Sequence, residues 1–335
     1  MQDRLKPIDP VVCGVRKDAM DLSIIIVNWN TREFLLACVR SIFENEHRKN
    51  WEVIVVDNGS QDGSAEEIRK TFPRLQIIEN EKNVGFSKAV NQGLQKASGR
   101  YVLLLNPDTQ VKNEAIERLV SFMDANSGVG VAGAQLLNSD GSKQNSIANF
   151  PSLTTELLNK NLLRWLLPKK FPGKGRVYPE PIDVDSVIGA CMMVRRKAIE
   201  QVGLLDEDYF LFLEETDWCY RMKKAGWKIY HVPQAEVYHF QGKSAEGRIE
   251  KAKIEYYRSR YQFFWKHRGS FHSVLLIIGL SMKLWFEFLL ILFSCMATFF
   301  MIKIWRRKFR IYSMLVWWHI RLCPLEMGLR EGNKG

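Results

Sequence analysis

The sequence has little of what staples or exports a small domain. Its six cysteines (13, 38, 191, 219, 295 and 323) are scattered through 335 residues with no C-x-x-C pair. That spacing argues against a zinc site or a disulfide framework and fits a reducing compartment. The first twenty residues, "MQDRLKPIDPVVCGVRKDAM", lack an apolar core of signal-peptide length, so the main domain is expected not to be exported. The first strand-like run continues into "IIIVNWNTREF" without a glycine, which counts against the Gly-rich first loop of a nucleotidyltransferase. The glycines of "NEKNVGFSKAVNQGLQKASG" (80–99) do not follow G-x-G-x-x-G, so this stretch is not a dinucleotide fingerprint and a dehydrogenase is disfavoured.

What is present is ordinary globular composition, 46% hydrophobic and 25% charged, which disorder does not show. The net charge is +11. From Met301 onward eight Lys/Arg face only Glu326 and Glu331. A basic tail points to an anionic membrane surface or to nucleic acid. Its tryptophans and apolar run favour lipid, and no nucleic-acid partner is expected.

Five continuous Val/Ile/Leu runs, "LSIIIVN" (22–28), "WEVIVVD" (51–57), "LQIIE" (75–79), "YVLLLN" (101–106) and "GVGVAGA" (128–134), alternate with helix-length segments at 31–46, 64–71, 86–98 and 113–125. Unbroken apolar strands separated by helices indicate a doubly wound, mostly parallel α/β sheet buried on both faces. Ser64 and Glu67 have the spacing of a capping box. Residues 135–185 read as a long loop with a "NSDGS" hairpin turn and a flap, "LPKKFPGKGRVYPEP". A strand at 186–196, a helix from Glu214 to Gly226 and two short strands, "WKIYHVP" and "AEVYHF", follow. The domain boundaries expected are an extension at 1–20, a catalytic domain at 21–245 and a basic, helical, membrane-associated region at 246–335.

Polar groups collect where apolar runs stop. Asn28, Asp57 and Asp108 all fall at or just past strand ends, the edge at which open α/β sheets bind ligands. Asp57 opens a "DNGSQDGS" turn and can accept from a ribose hydroxyl or base N–H, or cap a helix. Asn83, Gly85, Asn91 and Gly93 form N-x-G-x(5)-N-x-G, suited to close approach of a phosphate-bearing ligand or to packing. In "LDEDYFLFLEETDWCYR", Glu214, Glu215 and Asp217 open a helix beside an apolar "FLFL" run. That setting can raise a carboxyl pKa and make a general base. His239 follows a short strand and is a candidate partner for Asp108.

Taken in order, these stretches resemble the family 2 nucleotide-sugar glycosyltransferases of the GT-A fold, and within them the bacterial rhamnosyltransferase-like branch. The resemblance rests on "SIIIVNWN", "VDNGSQDGS", "NVGFSKAVNQG", "LLNPD", "LDEDYFLFLEETDWCYR" and "PQAEVYHFQGKS", across about residues 22–244. It implies that Val27, Asn28 and Asp57 hold the base and ribose, and that Asn83, Gly85, Asn91 and Asn106 belong to the donor site. Asn106 and Asp108 take the first and last places of the family's Asp-x-Asp metal motif. His239 would complete a Mg2+ or Mn2+ site. Glu215 would be the base, with Glu214 and Asp217 its competitors. Asn106 departs from the usual aspartate and leaves fewer charges for a metal.

The implied reaction is inverting transfer from a nucleoside-diphosphate sugar to a hydroxyl of a polyprenyl-diphosphate-linked glycan, in surface polysaccharide synthesis. dTDP-rhamnose is the leading donor, ahead of UDP-linked hexose, N-acetylhexosamine or galactofuranose. The other alternative is a membrane-associated pseudoenzyme that only binds nucleotide sugars. The apolar stretch 273–305, broken by Lys283, Glu287 and Lys303, suggests attachment to the cytoplasmic face of the cell membrane, peripherally or by a single span. Lys283 and Glu287 are spaced to pair across one helical turn.

Overall fold

A computed structural model describes residues 20–45, 50–159, 163, 165, 178–241 and 249–330. The N-terminal extension up to residue 19 and most of the expected flap (166–177) lie outside the described residues.

The first three apolar runs form β1 (Leu22–Asn28), β2 (Trp51–Asp57) and β3 (Gln76–Glu79), and the fourth forms β4 (Tyr101–Leu105). These four lie parallel in the order β3-β2-β1-β4. Helices α1 (Arg32–Asn45), α2 (Ser64–Thr71) and α3 (Phe86–Lys96) make the crossovers. A short β5 (Thr109–Val111) and α4 (Ala115–Ala125) lead into β6 (Val129–Leu137), which extends three residues past the end of its apolar run. Register places Asn28 opposite Asp57, and Ile26 opposite both Val55 and Leu105. The polar strand ends therefore share one edge.

The second half of the sheet is not parallel throughout. β10 (Cys191–Arg195) inserts antiparallel between β4 and β6. The two expected C-terminal strands are one, β11 (Lys228–His239), which runs parallel to β6 and antiparallel to β5. Its register against β6 shifts between Val232 and Glu236. Pro233 sits inside that irregularity, where no ladder hydrogen bond is asked of it. The segment expected as a long loop carries short pieces among its described residues: β7 (Ile147–Ala148), α5 (Leu153–Leu157) and β8 (Ile182–Asp183). β9 (Ser186–Val187) pairs with β7 in a separate ribbon.

Helix α6 (Arg196–Val202) follows β10, and α7 (Glu214–Lys224) precedes β11. Leu35, Val39, Ile116 and Leu119 bury one sheet face. Val90, Leu94, Trp218 and Met222 bury the other. The expected Ser64–Glu67 capping box does not form. The residue before α2 is Gly63 in a left-handed conformation, and Asp62 Oδ1 instead accepts from the Ser64 N–H at 3.1 Å. Gly128, Gly130 and Gly133 do have G-x-G-x-x-G spacing, but they open and occupy β6 rather than a strand-to-helix turn. A Cβ would stand 2.8 Å from Trp227 at Gly130 and 2.5 Å from Val187 at Gly133. Gly130 and Gly133 serve packing, whereas a Cβ at Gly128 would meet open space.

Three antiparallel helices complete the chain: α8 (Ile249–His267), α9 (Gly269–Ala297) and α10 (Lys303–Ile320). Phe263, Phe264, Leu280, Leu284, Leu315 and Trp318 form their shared core. α9 is long and apolar enough to cross a membrane, and most of its apolar window is not buried. It runs unbroken through Lys283 and Glu287, and Glu287 accepts from Tyr312 of α10 at 2.8 Å; among the described residues no ion pair joins it to Lys283. The apolar stretch 284–305 is not one helix. Phe299 and Phe300, with φ of 47° and 57°, turn the chain back into α10. After α10 the chain returns to the catalytic half, where the Arg258 guanidinium donates to the carbonyls of Pro324 and Met327 and Arg330 donates to that of Asp208.

Candidate active site

The β1 and β2 ends are locked by their own polar groups. Asn28 Nδ2 donates to Asp57 Oδ1 at 2.9 Å and to Ser60 Oγ at 3.0 Å, while the Ser60 N–H donates to Asp57 Oδ2 at 3.0 Å. Asn28 and Asp57 are both buried. Beside them Asn58 spans several backbones. Its Nδ2 donates to Asn83 Oδ1 (3.0 Å) and its Oδ1 accepts from the Val84 N–H (3.0 Å). Asn83 Oδ1 also accepts from the Gly85 N–H. Gly85 has φ of 93°, and a Cβ there would stand 2.8 Å from the Phe210 ring, so only glycine fits without a shift.

Beyond β4 the "NPD" turn is fixed from three sides. The Asn106 N–H donates to the Ala190 carbonyl, and the Asn106 carbonyl accepts from Thr109 Oγ1 at 2.7 Å and from the Cys38 thiol. Burial pushes that thiol up to about 12, so it stays protonated as a donor. Asp108 is buried, and its Oδ1 lies 3.5 Å from His239 Nε2. The antiparallel pairing of β5 with β11 brings the two together across the chain.

Gln144 sets the imidazole. Its amide nitrogen donates to Asn138 Oδ1 and to the His239 carbonyl, so its Oε1 faces His239 Nδ1 at 2.9 Å and takes that proton. In the neutral imidazole this leaves the lone pair on Nε2, the ring nitrogen nearest Asp108. One carboxylate oxygen and one imidazole nitrogen suit a small divalent ion that keeps water and substrate oxygens around it. Among the described residues no group of three or more His, Cys, Asp or Glu could hold an ion. Such an ion would have to draw its remaining ligands from water and substrate oxygens.

The acids open α7 after two strained residues. Phe212 and Leu213 have φ of 71° and 65°, a left-handed pair that costs non-glycine residues about 1–3 kcal/mol each. Burial drives the Glu214 carboxyl well above the ordinary glutamate range, and the charge of Glu215 adds to this. Glu214 Oε2 is buried with no hydrogen-bond partner. Burial raises Glu215 as well, against a hydrogen bond from Thr216 Oγ1 at 3.2 Å. Glu215 is the more exposed of the two. Asp217 is elsewhere. It accepts from Arg221 at 2.8 Å, and its Oδ1 meets His267 at 2.6 Å and Lys266 at 2.8 Å.

Of the expected site residues, Val27, Asn83, Asn106, Asp108, Glu214, Glu215 and His239 line a single cavity of about 490 Å3. Asn28 and Asp57 do not line it; they are buried next in the chain to the lining residues Val27 and Asn58. Asn91 ties α3 to the loop before α7, accepting from the Leu205 N–H and donating to the Leu205 carbonyl and Glu207. Asp217 joins α7 to α8 and does not line the cavity. Sequence reasoning missed Asn58, Gln144, Tyr256 and Leu329. Asn58 alone had a signal, since it follows Asp57 at the same strand end. The other three reach the site from remote segments.

The pattern described as "Glycosyl transferase family 2" matches residues 23–203, more than half of the chain. The N-acetylglucosaminyl-diphospho-decaprenol L-rhamnosyltransferase of Mycobacterium tuberculosis is 28% identical over 228 residues, covering 63% of this chain and 73% of the relative. The dTDP-rhamnosyl transferase of Shigella flexneri is 25% identical over 221 residues, covering 65% and 68%. Among solved structures, the mannosyltransferase of Pyrobaculum calidifontis in complex with GDP-Man and Mn2+ superposes with a TM-score of 0.55 over 90% of this chain and 86% of that one, at 16% identity. A mixed sheet whose strand ends carry the site, joined to these matches, makes the fold GT-A, and the chain belongs to glycosyl transferase family 2, with rhamnosyltransferases among its relatives.

Proposed function

We propose that this glycosyltransferase inverts the anomeric carbon as it moves a sugar from a nucleoside-diphosphate donor, dTDP-rhamnose first among candidates, to a hydroxyl of a lipid-linked glycan. The observation that carries the reading is that one cavity is lined by both the Asp108–His239 pair and the Glu214–Glu215 pair. The end bounded by Val27, Asn58 and Asn83 suits the nucleoside. Asp108 and Nε2 of His239 would hold the divalent ion, which when bound offsets charge on the leaving diphosphate. Glu215 takes the proton of the acceptor hydroxyl, whose oxygen bonds to the anomeric carbon. The bond from that carbon to the diphosphate oxygen breaks, and the nucleoside diphosphate leaves with the electron pair. One displacement inverts the centre, so a single base suffices. Glu214, raised further, keeps its proton, so two carboxylate charges need not share the cavity.

The rhamnosyl relatives support the donor, and the mycobacterial relative's acceptor supports a lipid diphosphate carrier. The helical hairpin supports seating on a membrane. Phe293, Phe299 and Met301 are exposed along α9 and its turn. Because the chain after α10 returns to Arg258 and Asp208, the hairpin enters and leaves on the catalytic side, unlike a single span. Lys303, Arg306 and Arg307, in the first turns of α10 just after the apolar turn, would be costly at bilayer depth, which favours interfacial seating at the cytoplasmic face.

A panel of nucleotide sugars with Mg2+ or Mn2+ and lipid-linked acceptors tests the reading. Nucleoside diphosphate release from one donor is expected, and Asp108→Ala should abolish the metal dependence of donor binding. Release from no donor would sink it.

A further inference from the structure

The C-terminal helices carry a strongly cationic cleft that the transfer chemistry does not use. Lys303, Arg306, Arg307 and Arg310 recur at helical spacing and so share one face of α10. With Ile249 and Glu250 at the start of α8 they line a cleft of about 510 Å3. All four are exposed, and among the described residues none is joined to a carboxylate by an ion pair. Four positive charges against Glu250 leave a net charge of three, more than solvation of an idle helix face calls for.

Two neighbours give this charge a direction. Just before α10, Phe299 and Met301 are 85% and 79% exposed, so apolar side chains stand at the lip of the cationic face. On the other side, Tyr256 lines the candidate active site. It lies seven residues from Ile249 on the same helix, a rise of about 10 Å. An apolar lip, then a cationic cleft, then a catalytic cavity, is the order of groups in a lipid-linked glycan: hydrocarbon tail, diphosphate, sugar.

We propose that this cleft binds the diphosphate of the lipid-linked acceptor, with Arg306, Arg307 and Arg310 as the principal contacts. This rests on the lipid-linked acceptor of the proposed function. Guanidinium groups pair with phosphate oxygens in bidentate fashion, and a dianionic diphosphate answers a threefold excess of charge better than a monoanionic phospholipid does. Seating the diphosphate here would leave the attached sugar within reach of Glu215.

The test is a binding measurement, so that it stands apart from turnover. Full-length protein is floated with phosphatidylcholine vesicles doped with polyprenyl diphosphate, with polyprenol, or with phosphatidylglycerol matched in total charge. The diphosphate vesicles are expected to bind at least tenfold more tightly than the charge-matched ones. The triple variant Arg306→Gln/Arg307→Gln/Arg310→Gln should lose that preference while still binding polyprenol vesicles through the apolar turn. A triple Arg→Lys variant, which keeps the charge and checks folding, should retain part of it. Equal binding to phosphatidylglycerol and diphosphate vesicles would overturn the proposal and leave a general anionic-membrane contact. So would an unchanged preference in the glutamine variant. Failure of the nucleotide-sugar panel alone would instead strike the catalytic reading.

Discussion

Glu214 and Glu215 are adjacent in sequence and unequal in surroundings. Glu214 is buried with an orphaned oxygen, whereas Glu215 is more open to the cavity. Glu214→Gln mimics the protonated acid and should keep turnover within about tenfold. Glu215→Gln should cost about 100-fold or more while donor binding persists, the usual worth of a general base. Steady-state rates and donor titrations of the two variants decide between them. Retained turnover in Glu215→Gln would remove it as the base. With Glu215 as the base, its raised carboxyl would set the acid limb of the pH–rate profile. The base works only when ionised, so the rate should fall as pH drops through a midpoint above the ordinary glutamate value of about 4.3. That limb should disappear in Glu215→Gln. At this scale "NPD", the acidic pair and His239 were legible because each interrupts an apolar run. Gln144 was not, because its importance lies in the tautomer of a histidine 95 residues away.

Between elements, Asp217 is the clearest joint. Burial by itself would raise its carboxyl, but the His267 hydrogen bond and the charges of Arg221 and Lys266 outweigh it and hold the group at about 2. A depressed folded-state value stabilises the fold above the unfolded value of 3.8 and is lost as pH falls from there towards 2. The shift amounts to about 2 kcal/mol. Asp217→Asn should therefore unfold in less urea at pH 7, by about 2–3 kcal/mol, because Arg221 and Lys266 lose their counter-charge and His267 its carboxylate partner. The deficit should shrink as pH falls from 4 to 2. A variant as stable as the parent would show that α7 and α8 dock without this carboxylate.

Elements differ in how plainly they could be read. The first four strands are unbroken Val/Ile/Leu runs, and nothing else makes such runs between amphipathic helices. The direction of β10 is not written in its composition, since an apolar strand looks alike parallel or antiparallel. β11 reads as two strands because Pro233 marks a break, and only the register shift against β6 lets it pass. The turn after α9 contains no glycine or proline. Phe299 and Phe300 adopt left-handed conformations there, so an apolar stretch that reads as one long span folds back on itself.

For the whole molecule, the net charge of +11 is less informative than its position. The basic face of α10 and the exposed apolar turn lie together, so one surface would meet a membrane and the catalytic cavity would sit close behind it. Replacing Phe299 and Met301 by Asp should weaken flotation with anionic vesicles at least tenfold, since each apolar side chain contributes about 1.5–3 kcal/mol when removed from water. Unchanged flotation with an unchanged far-UV spectrum would place the membrane contact elsewhere. This arrangement was only half legible. Composition announced a basic, apolar tail, but its return to the catalytic domain depends on contacts from Arg258 and Arg330 that no local pattern encodes.

Leu329 forms part of the cavity wall, although it follows the whole hairpin in the chain. During synthesis the sheet and its acids emerge first, and the cavity stays open on that side until α9 and α10 have been made and folded back. A nascent chain therefore acquires its amphiphilic hairpin before its reaction chamber is complete. Catalytic competence would arrive last, once the protein is already able to lie on a lipid surface.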